Sequence, residues 1–226
     1  MRNARRVAED DRRDARLETP EGRDAYWVEL QAECAKSSLI GLLEETLALP
    51  GDIVECGVFR GGSLKRIARA ARDVAPGKTI YGCDSYEGFP EDSVGSNDWT
   101  FFRRTSRLKD KFAGANHVPD RLARFCVAFG VNGRIVKGYF SDTLPSLPAA
   151  RIAFLHIDSD TYSSHVECLT TLYDRIVPGG IVVFDDYDQP KWPGAKKAID
   201  EFFALRLEKP ALSTARKNGA WFVRKP

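Results

Sequence analysis

The chain is poor in the features that usually announce a partner. No apolar stretch approaches the roughly 20 residues needed to cross a bilayer, which sets a membrane-spanning role aside. Basic charge is not in excess, with 34 Lys and Arg against 32 Asp and Glu, and no long basic block interleaves with aromatics. The electrostatic footprint of a nucleic-acid partner is therefore missing. The five cysteines, Cys34, Cys56, Cys83, Cys126 and Cys168, are scattered and show neither metal-knuckle nor redox-pair spacing. They read as reduced, buried small residues of a cytoplasmic protein. His117, His156 and His165 form no zinc pair. The opening MRNARRVAEDDRRDAR mixes Arg with Asp and Glu, unlike a secretory signal or a transit peptide. What these absences leave is a small-molecule partner.

With 226 residues and 43% hydrophobic composition the chain has material for one well-buried domain. Residues 1–24 are charged and aperiodic and read as a mobile arm. From Tyr26 to Leu47 the apolar residues recur at helical spacing until Pro50-Gly51 stops them, predicting one helix. Short apolar runs then alternate with helical patterns: strands at 52–58, 79–84, 134–140, 151–158 and 180–186, with helices over 63–72, 120–129, 162–173 and 195–205. That alternation predicts an α/β fold, a mostly parallel sheet with helices on both faces. ALST at 211–214, Asn218-Gly219 and AWFVR at 220–224 predict an antiparallel hairpin closing it. In such sheets ligands sit beyond the carboxyl ends of the strands.

Acids gather there. LHIDSD ends one strand in Asp158 and Asp160, and IVVFDDYD ends the next in Asp185 and Asp186. Asp158 and Asp185 are 27 positions apart, the length of a helix and two turns joining neighbouring parallel strands. Strands about 4.8 Å apart bring Asp158, Asp185 and Asp186 together, and carboxylates so close repel unless protons or a cation offset them. Either Asp158 or Asp186 alone reads as the N-cap of the following helix. Four acids on one sheet edge weigh instead toward a hard cation, Mg²⁺ first, with Ca²⁺ and Mn²⁺ admitted by the same ligands.

The first turn, VECGVFRGGS, places Glu55 at a strand end and Gly57, Gly61, Gly62 and Ser63 before a helix. Glycines there let a ligand approach the backbone. The spacing is not GxGxxG, which counts against a dinucleotide-dependent oxidoreductase, and Glu55 favours a cationic ammonium over a phosphate. Asp84 closes the next strand, where an acid can take the hydroxyls of a ribose. A nucleoside carrying an amino-acid tail fits both.

VECGVFRGGS, DSYEGFP, GYFSDTLP, LHIDSDTYSS and PGGIVVFDDY, in that order from about Tyr26 onward, resemble the S-adenosylmethionine-dependent O-methyltransferases of the macrocin (TylF) type, which methylate sugar hydroxyls of glycosides. The resemblance implies a Rossmann-like class I methyltransferase sheet and a donor site including Glu55, Cys56, Gly57, Arg60, Gly61, Ser63, Asp84, Ser85 and Asp158. GYFSDTLP, similar also to the adenine-side turn of catechol-type enzymes, implies Phe140, Ser141 and Asp142 near the purine. The resemblance further implies Mg²⁺ on Asp158, Asp185 and Asp186, and Asp160 as general base. Catechol-type enzymes are expected to carry a Lys just after the first metal Asp, whereas this chain has Asp160-Thr161-Tyr162, favouring a sugar acceptor over a phenol. Residues 91–118, with Trp99, Phe101 and Phe102, are expected to form an acceptor lid. A non-catalytic S-adenosylmethionine-binding module is a further alternative, and the N-terminal helix offers a homo-oligomer interface.

Overall fold

A computed structural model describes residues 12–90, 98, 117–216 and 219–226. Its sheet holds seven strands among the described residues: β1 (Asp52–Cys56), β2 (Ile80–Asp84), β3 (Gly133–Lys137), β4 (Ile152–Ile157), β5 (Ile176–Phe184), β6 (Ala211–Ser213) and β7 (Ala220–Arg224). The spatial order is β3-β2-β1-β4-β5-β7-β6. The first five are parallel, while β7 runs antiparallel to both β5 and β6. The mostly parallel sheet with an antiparallel end is as the sequence predicts. Chain order reverses between β1 and β4, so a crevice opens at their carboxyl ends.

Both faces are covered, which explains why the strands read as unbroken apolar runs. All six residues of β4 are buried. Ile53, Phe154, Ile181 and Val183 pack under α1 (Pro20–Cys34), α2 (Ser38–Glu44), α3 (Gly62–Arg72) and α4 (Val118–Phe129). Their neighbours Val54, Leu155, Val182 and Phe184 face the opposite layer, which includes α6 (Tyr162–Leu172) and α7 (Pro193–Phe203). A short α5 (Phe140–Thr143) lies between β3 and β4.

Several boundaries differ from expectation. The stretch from Tyr26 to Leu47 is two helices: α1 ends at Cys34, and the Arg216 guanidinium donates to the Cys34 carbonyl at 2.9 Å, with Ser37 closing the turn before α2. The expected strand 134–140 stops at Lys137, because Gly138 turns the chain at φ 146° and Phe140 begins α5. β5 starts at Ile176 instead of 180, with an irregular register opposite Ile152 and Phe154. Ser213 and Ala220 are a register pair, so the closing connection spans 214–219 and is no two-residue turn; Asn218 lies outside the described residues. Within the expected arm, residues 12–24 include a 3₁₀ turn, Arg16–Glu18, and the start of α1, with Thr19 as its N-cap. Asp14 there contacts Lys65 of α3 and Arg121 of α4. Of the expected lid, only Asp98, His117 and Val118 fall among the described residues; Trp99, Phe101 and Phe102 do not.

Candidate active site

At the topological switch a cavity of about 420 Å³ lies over the carboxyl ends of β1, β2, β4 and β5, a size suited to a small organic ligand. On one side β1 turns at Gly57, which has φ 89°. A Cβ there would stand 1.8 Å from the Asp158 carbonyl oxygen, so only glycine lets the first turn pass this close to the end of β4. Asp84 is clamped beside it: Oδ2 accepts the N–H groups of Val58 and Phe59 at 2.8 and 2.7 Å, and Oδ1 accepts that of Tyr86 at 2.7 Å. A carboxylate held by three backbone donors is fixed in place, and Oδ1, which takes one of the three, keeps lone-pair capacity for a ligand hydroxyl.

On the other side stand the acids. Asp158 shares ligand-atom separations within 4.8 Å with two overlapping sets, one with His156 and Asp185 and one with Asp160 and Asp186. Burial, then the charges of Asp185 and Asp186, push the Asp158 carboxyl well above its ordinary value. Burial, then the charge of Asp160, lifts Asp186 to about 8, although Asp186 Oδ2 accepts the Asp160 N–H at 2.9 Å. A cluster whose carboxyls are raised by burial and mutual repulsion is one that a cation would relieve, and oxygen donors suit a hard ion. The donor set therefore fits the expected Mg²⁺.

Alternation along the strands sends Glu55 and His156 to the face of Ile53 and Phe154, where they are register neighbours on β1 and β4. Glu55 is wholly buried, with Oε1 at 2.8 Å from His156 Nδ1. Burial alone would lower the imidazole; the Glu55 bond and the charges of Asp158 and Asp185 outweigh it and carry His156 to about 9. Glu55 thus lies behind the cavity wall, with Oε2 lacking a partner among the described residues.

Three non-glycine residues have positive φ among the described residues, Phe59 at 50°, Tyr86 at 55° and Asp160 at 62°, and all three line the cavity. Backbone strain of this kind gathers where surrounding structure over-determines it.

Of the residues singled out in sequence, Gly57, Asp84, Ser85, Phe140, Asp158, Asp160 and Asp185 line the cavity together. Asp186 is buried directly behind them. Cys56, Arg60, Gly61 and Ser63 form the strand end and helix start behind Gly57 without lining it, and Ser141 and Asp142 point outward from α5, exposed. Sequence reasoning missed Phe89 and Trp192, whose rings lie 6.0 Å apart, and Glu167 and Lys191 on the same walls. Their only signal was the aromatic in DSYEGFP and the exposed end of the turn after the second acidic strand.

The chain resembles known proteins along most of its length. A demethyldecarbamoylnovobiocin O-methyltransferase of Streptomyces niveus is 34% identical over 78% of this chain and 67% of its own length. A mycinamicin III 3''-O-methyltransferase of Micromonospora griseorubida is 32% identical over 68% of this chain and 61% of its own. This chain thus spans about three fifths to two thirds of those relatives. Among solved structures, the O-methyltransferase NovP superposes with a TM-score of 0.67 at 31% identity, covering 84% of this chain and 78% of NovP. The calicheamicin methyltransferase CalS11 gives 0.66 at 25% identity, over 96% and 91%. The family model of the macrocin O-methyltransferases (TylF) matches residues 39–224. On that match, which takes in every strand of the sheet and every acid of the cluster, the chain belongs to the TylF macrocin O-methyltransferase family.

Proposed function

We propose that the protein transfers a methyl group from S-adenosylmethionine to a hydroxyl of a small natural product, a sugar of a glycoside foremost, with the help of Mg²⁺. The observation that carries this reading is the joining, in one cavity, of the clamped Asp84 and Gly57 turn with the carboxylate cluster of Asp158, Asp160, Asp185 and Asp186. Relatives named for novobiocin, mycinamicin and a rhamnosyl tetracenomycin support a glycoside acceptor.

In this reading Asp84 receives the ribose hydroxyls, the turn from Gly57 to Phe59 takes the amino-acid tail, and Phe140 flanks the purine. Glu55, behind that turn, biases it toward the tail's ammonium while staying paired with His156. Asp158, Asp185 and Asp186 would hold the cation, which would supply Lewis acidity to lower the pKa of the acceptor hydroxyl. Asp160 takes the hydroxyl proton on its carboxylate as the oxygen bonds to the methyl carbon; the carbon–sulfur pair stays with sulfur. Much of the acceleration comes from holding the reacting atoms in line.

The test is a calorimetric titration with S-adenosylhomocysteine, with and without Mg²⁺ and with NAD as control, followed by turnover on sugar and phenol acceptors. Saturable binding of S-adenosylhomocysteine but not NAD is expected. Asp185→Ala, an exposed change, should keep that binding and abolish turnover. A near wild-type rate in this variant, or activity that survives chelator, would remove the cation from the mechanism.

A further inference from the structure

Asp98 is wholly buried, though it comes from the long connection between β2 and α4. A carboxylate taken out of water needs partners. Its Oδ2 accepts the backbone N–H of Tyr162 at 3.0 Å, and its Oδ1 has no partner among the described residues. Tyr162 is the first residue of α6, where N–H groups have no intrahelical acceptor and negative charge is favoured. The same carboxylate also meets the start of α7: a Cβ on Gly194 would stand 2.1 Å from Asp98 Oδ1 and 2.9 Å from Tyr162 Cβ. Asp98 therefore fills the joint between the two helices that follow the acidic strand ends.

Two residues before Tyr162 stands Asp160, held at φ 62°. A non-glycine residue keeps such a conformation only where its neighbours fix it. Two carboxylates grip alternate N–H groups of this turn, Asp186 Oδ2 on Asp160 at 2.9 Å and Asp98 Oδ2 on Tyr162 at 3.0 Å. Trp192, directly before α7 and two residues from Gly194, lines the cavity with Asp160. We propose that Asp98 is a positioning residue for the acceptor side of the site, fastening the Asp160 turn and the Trp192–Gly194 turn so that Asp160 keeps its strained backbone. This rests on the reading of Asp160 as proton acceptor. Asp98 does not line the cavity, and the Gly57 and Asp84 side lies on other strands, so donor binding should not depend on it.

The experiment compares the full chain with Asp98→Ala, Asp98→Asn, Gly194→Ala and the Asp98→Ala/Gly194→Ala double variant, reading turnover, S-adenosylhomocysteine affinity and hydrogen exchange at the Tyr162 amide. Misplacing a reacting group by about 1 Å can cost roughly a hundredfold, so Asp98→Ala should lower kcat roughly tenfold to a hundredfold with affinity for S-adenosylhomocysteine within about twofold. The Tyr162 amide should lose protection. Asp98→Asn keeps an acceptor oxygen and should recover most of the rate. Gly194→Ala should impair turnover by its clash, and the double variant should be no worse than either single change, as expected of coupled neighbours.

An unchanged kcat in Asp98→Ala, or parallel loss of kcat and donor affinity in both Asp98 variants, would overturn the proposal. Should Asp98→Ala not fold, Gly194→Ala decides it: turnover lowered with donor affinity kept supports the proposal, and unchanged turnover overturns it. A wild-type chain that binds no S-adenosylhomocysteine would sink the functional reading alone. The Tyr162 amide then still decides the clamp: protection lost in Asp98→Ala supports it, protection unchanged overturns it.

Discussion

His156 and His165 are both buried near the end of β4, and what faces each ring sets its charge in opposite ways. His156 meets the Glu55 carboxylate and rises to about 9. Among the described residues His165 meets the Ser159 hydroxyl at 3.2 Å and the Thr161 carbonyl at 2.9 Å, and Nε2 has no partner there. Burial lowers it to about 4, with the Thr161 bond opposing. Above pH 6.5 the ring is neutral in both the folded and the unfolded chain. Between 6.5 and 4 the unfolded chain takes a proton that the folded one refuses, so stability falls as pH falls across that window. At about 1.36 kcal/mol per unit the loss approaches roughly 3 kcal/mol by pH 4. Urea midpoints from pH 7 to 4 should therefore fall more steeply for the wild type than for His165→Leu, by about that amount; parallel slopes would show that His165 is not held neutral.

At the scale of elements, the sheet was legible because its strands announce themselves as short apolar runs, and β2, β4 and β5 end in acids that carry their chemistry in their own side chains. The break of the first helical run was not, since it is closed by Arg216, which donates to the Cys34 carbonyl from the far end of the chain. Glu55 was legible as an acid near the first turn. Its burial was not, because only strand register sets it beside His156. Asp98 and Gly194 are far apart in sequence, and nothing local in either predicts their contact. The docking of the N-terminal segment is of the same kind. Asp14 contacts Lys65 Nζ at 3.2 Å and the Arg121 guanidinium, and the three side chains are only about a tenth exposed. Lys65 Nζ also lies 5.8 and 5.6 Å from the Tyr26 and Phe125 ring centroids. Deleting one partner of a buried ion cluster leaves its charges undercompensated, so Asp14→Ala should cost about 3 kcal/mol, read as a fall in the urea midpoint. A change under about 0.5 kcal/mol, the size of an ordinary surface substitution, would mean that the segment docks by its apolar contacts alone.

For the whole molecule, the two halves of the site belong to strands that meet only at the switch point, so ligands there draw on the stability of the entire sheet. β1 and β2 carry Gly57 and Asp84 at their ends, and β4 and β5 carry the acids. The acid half is the more strained when alone, since burial and mutual repulsion raise the Asp158 and Asp186 carboxyls above their ordinary values. A ligand that binds only the folded chain adds about 2.7 kcal/mol at a hundredfold excess over its Kd. For a domain of this size, at about 2–4 °C per kcal/mol, that is a rise of roughly 5–11 °C in Tm. S-adenosylhomocysteine should produce such a rise through the β1 and β2 half without any cation. Mg²⁺ should add a separate increment through the β4 and β5 half, abolished by chelator and by Asp185→Ala, while NAD gives none. If Mg²⁺ raised Tm equally in Asp185→Ala, the cation would be binding elsewhere, and the cluster would have to be read as helix caps that share protons.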